Sequence, residues 1–140
     1  MKGQLSMDLM VIASVVLIIF LFLFQLYAQN SENARILGAQ LAAQRASEDV
    51  ARAIDHAWLA GNGSVAHSQL PDSLPNSLPY NVTIRGRQVL VLYPAGDSVR
   101  IASAGTATSN VTGINFTLIP GSGSRLLNMT NINGTITVVG

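Results

Sequence analysis

The sequence predicts an α+β fold: one long N-terminal α-helix followed by a small antiparallel β-rich head. Three observations lead there. An unbroken apolar run opens the chain, helical periodicity then continues to about Ala60, and beyond Tyr80 the period changes to two. Of the 140 residues 49% are hydrophobic and only 11% charged, too apolar for a lone soluble globule of that size. Part of the chain is therefore made for lipid or for a partner.

The apolar excess is concentrated in the first element. From Leu9 to Phe24 every residue is apolar except Ser14, and no charge occurs between Asp8 and Glu32. At about 1.5 Å per residue, residues 9–28 make roughly 30 Å of helix, one hydrocarbon thickness. A helix apolar on all sides has no face for water, so it belongs in a bilayer or within a sheath of similar helices. A secretory leader would have an apolar stretch of about 7 to 15 residues ending at small residues. Here the stretch is longer, and its best exit, Leu26-Tyr27-Ala28, has Leu where a small side chain is needed. The segment is expected to remain in the mature protein.

From Ser31 to about Ala60 the pattern stays helical but turns amphipathic, with Leu37, Leu41, Val50, Ile54, Ala57 and Trp58 mostly at spacings of three, four or their sums. Opposite charges four apart, Arg45 with Asp49 and Glu48 with Arg52, and three apart, Arg52 with Asp55, each add about 0.2–0.5 kcal/mol. Nine of these thirty residues are Ala, which keeps the helix slim for close packing. Gly61-Asn62-Gly63 ends it. A helix over residues 5–60 would be about 84 Å long, and helices of that length need partner helices.

Residues 61–80 read as a connector, because Leu-Pro recurs at 70, 74 and 78 and disfavours both helix and interior strand. The head then occupies residues 81–140. Asn81 to Arg85 alternates, Gly86-Arg87 is a hairpin turn, and the apolar run in Gln88 to Tyr93 fits a strand buried on both faces. After a turn at Pro94-Ala95-Gly96-Asp97, further strands are expected at 98–103, 113–119, 125–129 and 135–139. Sixty residues of sheet form a small core that lateral contacts between copies would support.

Charge and motifs exclude several functions. Eight Lys and Arg against seven Asp and Glu leave +1 with no basic stripe, so no nucleic-acid partner is expected. The absence of cysteine removes disulfides, thiolate nucleophiles and Cys-based zinc sites. No G-x-S-x-G, H-E-x-x-H or P-loop occurs, and His56 and His67 are separated between helix and loop, so no catalytic residue, metal site or cofactor is assigned. Gly121-Ser122-Gly123-Ser124 reads as a turn, Trp58 as packing between helix and sheet, and Phe20, Phe22 and Phe24 as filling.

From Ile101 onward the only charge is Arg125, and the polar load is Ser, Thr and Asn. Six of the ten Asn stand in N-x-S/T triplets: Asn62, Asn81, Asn110, Asn115, Asn128 and Asn133. With 21 Ser and Thr in 140 residues, chance gives fewer. They are candidates for covalent N-linked glycans, and the plain alternative is an uncharged, hydrogen-bonding strand face. Glycans require these segments to lie outside the membrane.

The start of the chain is the most informative segment. Lys2-Gly3 precedes Gln4-x-Ser6-x-Asp8, which abuts the charge-free helix. Read locally, Ser6 is an N-cap and Asp8 sits well at the positive end of the helix dipole. Together these residues resemble an archaeal type IV pilin precursor, whose class III signal peptide is cut on the N-terminal side of the apolar helix. The resemblance covers about thirty residues, and Asp8 stands where Glu is more usual. It implies a pilin-like lollipop, removal of residues 1–3 by a prepilin peptidase between Gly3 and Gln4, and a mature chain starting at Gln4. It also implies self-assembly into an extracellular filament for surface attachment, driven by a pilus ATPase and membrane platform, from a precursor held in the cytoplasmic membrane. The α-ammonium of Gln4 would pair with Asp8 to set subunit register. The rival expectation is a membrane-anchored monomeric surface protein whose β head binds carbohydrate or protein.

Overall fold

The computed structural model describes residues 2–112, 115–123 and 125–140, with side chains from Met7 onward. Gly113 and Ile114 of the expected strand 113–119, and Ser124, lie outside the described residues. One helix, α1 (Lys2–Leu59), is followed by seven strands: β1 (Val65–Leu70), β2 (Tyr80–Arg85), β3 (Gln88–Ala95), β4 (Ser98–Gly105), β5 (Asn115–Leu118), β6 (Arg125–Ile132) and β7 (Thr135–Val139). The chain is thus α+β, a long N-terminal helix and an antiparallel β domain. It divides into two compact units, Met1–Arg35 and Ile36–Gly140.

The first unit is helix alone. Its described side chains, Met7 to Arg35, are all exposed, and Ser14, the one polar residue between Leu9 and Phe24, turns its hydroxyl back to the carbonyl of Met10 at 2.8 Å.

The second unit begins inside α1 and contains two sheets, ordered β1-β6-β7 and β4-β3-β2-β5, every pair antiparallel. Alternation decides which side chains enter. Val82 and Ile84 of β2, Val89, Val91 and Tyr93 of β3, and Leu127 and Met129 of β6 form one buried cluster with Ile136 and Val138 of β7. The helix joins that cluster through Ala39, Ala43, Ala46, Val50, Ile54 and Ala57, spaced by three or four. The alanines therefore serve close approach of α1 to its own sheets.

Several expectations need correction. Leu37 and Leu41 do not share the buried stripe with Val50 and Ile54: they are 55% and 52% exposed on another face of α1. Leu90 and Leu92 are only half-buried, so β3 is buried on one face. Arg52 pairs with Glu48 at 3.6 Å, the one ion pair within 4 Å among the described residues. Asp55 instead accepts the backbone N–H of Ala107 at 2.7 Å, a better use of a carboxylate than an exposed ion pair.

The segment 61–80 is more structured than a connector. Its first part is β1, which runs antiparallel to β6 and buries Ala66, Ser68 and Leu70. The Leu-Pro repeat folds back on itself, Leu74 and Leu78 exchanging backbone hydrogen bonds of 3.0 and 3.3 Å, and puts Leu70 and Leu74 into the core. The phenol of Tyr80 donates to the Pro71 carbonyl at 2.6 Å and closes the excursion.

The turns follow local chemistry. Gly86 and Gly96 have φ of +56° and +64° in two-residue hairpin loops, where glycine adopts the left-handed region without strain. Asn133-Gly134, with φ of +52° and +80°, joins β6 to β7, so β6 runs three residues beyond the expected end at 129. At the end of α1, His56 and Trp58 carbonyls accept from Ala60 and Gly61 N–H, and the Ala57 carbonyl accepts from Ser64 Oγ at 2.6 Å and Asn131 Nδ2 at 3.2 Å.

Candidate functional site

Two surfaces carry what the chain can do. In the first unit, every side chain from Met7 to Tyr27 is exposed, Phe20, Phe22 and Phe24 among them at 62–63%. The helix is long and apolar enough to cross a membrane, and none of its most apolar stretch is buried. Such a surface is compatible with insertion into a membrane.

Asp8 stands at the start of this surface. Its carboxylate is exposed and makes no ion pair among the described residues. Gly3, Gln4 and Ser6 belong to the helical backbone, but their side chains lie outside the described residues, so their part in processing and register has no side-chain geometry here.

The second surface is that of the β domain, which holds all six N-x-S/T triplets. Asn62 and Asn133 meet in adjoining loops: Asn62 Nδ2 donates to Asn133 Oδ1 at 3.3 Å, and the Asn133 N–H donates to Asn62 Oδ1 at 2.8 Å. Asn110 Nδ2 donates to the Gly134 carbonyl at 2.9 Å and to Thr135 Oγ1 at 3.2 Å. Asn81 Nδ2 donates to Thr117 Oγ1 at 3.1 Å, while Thr83 Oγ1 donates to Asn81 Oδ1 at 3.2 Å. Asn128 Oδ1 lies 2.6 Å from His67 Nδ1. Asn115 is exposed on β5. Most of these asparagines therefore serve the fold first.

The two histidines, eleven residues apart in sequence, line one open groove of about 720 Å³ with Asp49 and Arg52. Both are exposed, and among the described residues no three potential metal ligands converge there or elsewhere. The hydroxyl of Ser68, on the wall of this groove, is buried without a hydrogen-bond partner. Trp58 is 36% exposed, its ring beside Gly134. A smaller apolar hollow of about 240 Å³ lies by Tyr80, Leu92, Pro94 and Val99.

Sequence periodicity grouped Leu37 and Leu41 with the buried stripe, whereas their exposure leaves an apolar strip on the second unit's helix. The signal was present: Leu37 stands two positions from Ala39, and Leu41 two from both Ala39 and Ala43, so they cannot share the face of the ladder 39-43-46-50. Compared with known proteins, the chain matches no family model, no curated protein and no solved structure.

Proposed function

We propose that this chain is a structural subunit, a pilin, of an archaeal type IV-like pilus: it polymerises through its N-terminal helix into an extracellular filament, with attachment to surfaces as its role. The single observation that carries the reading is the helix surface from Met7 to Tyr27, exposed throughout and directly preceded by Lys-Gly and Gln-x-Ser-x-Asp. Before assembly that surface lies in the cytoplasmic membrane. A prepilin peptidase cuts between Gly3 and Gln4, and an assembly ATPase with its membrane platform extracts the subunit.

Energetics fit this order of events. Lipid is about as apolar as a helix bundle, so transfer between them gains little hydrophobic free energy, and packing with electrostatics decides. Exposed Leu37 and Leu41 extend the apolar contact beyond the membrane segment. Asp8, costly beside an apolar bundle unless paired, finds its partner in the α-ammonium that cleavage creates at Gln4. Catalysis has no part in this function, and no cofactor or metal is required.

The second reading is a membrane-anchored monomer whose β head binds carbohydrate or protein. The same membrane-length helix favours it, but it gives Gln4, Ser6 and Asp8 no task. Intact mass and N-terminal sequencing of the protein sheared from its own cells separate the two. The expected chain begins at Gln4 and comes from filaments visible by electron microscopy. Asp8→Ala is expected to abolish filaments while the chain remains in the membrane. A native chain beginning at Met1, or undiminished filaments from Asp8→Ala, overturns the respective claim.

A further inference from the structure

The six N-x-S/T triplets offer six amide nitrogens, and the fold treats them unequally. Attachment of a sugar requires an asparagine that is exposed, whose Nδ2 is not already committed, and whose triplet can be drawn away from its neighbours in extended form. Asn62 and Asn110 fail on the second count, since Nδ2 of each donates to another part of the domain. Asn81 and Asn128 fail on the first and third. Both are half-buried, and both sit on strands flanked by partners on each side, β2 between β3 and β5 and β6 between β1 and β7. Asn133 opens a tight turn at φ +52°, with its N–H and Oδ1 both tied to Asn62, so its triplet is not extended.

Asn115 differs on the first two counts, and on the third it has a strand partner on one side only. It is exposed, and its side chain makes no hydrogen bond among the described residues. It lies at the start of β5, a four-residue strand at the end of its sheet that pairs only with β2. In an extended strand residues two apart share a face, so Asn115 and Thr117 stand side by side on the exposed face, both outside the core. Drawing the triplet out frees buried Phe116 and breaks the Asn81–Thr117 hydrogen bond, but an edge strand this short has few ladder bonds to lose besides.

We propose that Asn115 is the N-glycosylation site of this protein. The inference rests on the reading that the β domain reaches the cell exterior. The co-reactant is an oligosaccharide joined through its anomeric carbon to a lipid phosphate. Asn115 Nδ2 forms the new bond to that carbon, the carbon–oxygen bond to phosphate breaks, the lipid phosphate leaves with the electron pair, and a base takes the Nδ2 proton. No oxidation or reduction occurs.

Protein sheared from its own cells, digested after arginine, gives three pieces with two triplets each: residues 53–85, 101–125 and 126–140. Mass spectrometry of these pieces is expected to find the sugar increment on 101–125, with fragment ions placing it on Asn115 and not on Asn110. Asn115→Gln is expected to lose the whole increment, and Asn110→Gln and Asn81→Gln to keep it. Sugar on any other asparagine with Asn115 bare overturns the assignment. So does a sugar-free chain that begins at Gln4 and is recovered from filaments, a result that leaves the pilin reading standing. A sugar-free chain still beginning at Met1 overturns both.

Discussion

Tyr80 shows how one buried side chain sets a condition on the whole domain. It is 2% exposed, and its hydroxyl donates to the Pro71 carbonyl across the Leu-Pro excursion. Burial, and secondarily the nearby Asp72 carboxylate, hold its phenol well above the ordinary value of 10.0. The folded protein keeps this proton at pH values where the unfolded chain gives it up. The contribution is therefore complete below about pH 10 and is lost progressively as pH rises above it. Tyr80→Phe is expected to reduce stability at neutral pH by about 0.5–1.5 kcal/mol, the net worth of the lost hydrogen bond. It should also flatten the alkaline decline, by up to about 1.4 kcal/mol per pH unit for one proton. Melting temperatures of the detergent-solubilised chain and its variant from pH 8 to 11.5 check this, and equal slopes would contradict it.

At the scale of the element, α1 from Ile36 onward has two apolar faces with different tasks. The alanine ladder is buried against the sheets, and Ala43 and Val50 have no exposed surface at all. Ala43→Leu adds three carbons where close approach leaves no space, and is expected to destabilise the domain by about 1–3 kcal/mol. Leu41→Ser, on the exposed face, is expected to leave melting within about 0.5 kcal/mol of the native chain while lowering filament yield. Melting and filament yield measured on both variants test the division, and a destabilised Leu41→Ser would remove it. The helix itself, its end at Gly61 and most strands were legible in the sequence, because apolar runs and period-two alternation are local signals. β1 was not, since Val-Ala-His-Ser-Gln-Leu buries small side chains and precedes three prolines that read as breakers. The end of β6 was missed although Asn133-Gly134 is a strong hairpin signal. As to the candidate site, the apolar helix was plain from composition. Which asparagines are free was not, because the partners of Asn62 and Asn110 lie 71 and 24 or 25 residues away in the chain.

The molecule as a whole has to settle an imbalance that neither unit settles alone. Seventeen large apolar side chains from Met7 to Tyr27 are exposed by 42–73%. At about 1.5–3 kcal/mol for fully burying one such side chain, covering what remains open is worth on the order of 20 kcal/mol or more, above the about 5–15 kcal/mol that holds an ordinary domain folded. Water is therefore not a resting place for the intact chain. The compact unit Ile36–Gly140 carries its own core, to which no side chain of that surface contributes. A chain beginning at Ser31 is accordingly expected to sediment as a monomer in buffer without detergent, with cooperative melting. The full chain should float with vesicles of neutral lipid, and form higher oligomers when detergent is withdrawn in their absence. Neutral lipid is the choice because it has no surface charge to attract Lys2 and the arginines, so flotation reads the apolar helix. A full-length chain that stays monomeric in plain buffer would show that this helix surface is covered from within. It would then be unavailable to either membrane or filament, and both functional readings would fall together.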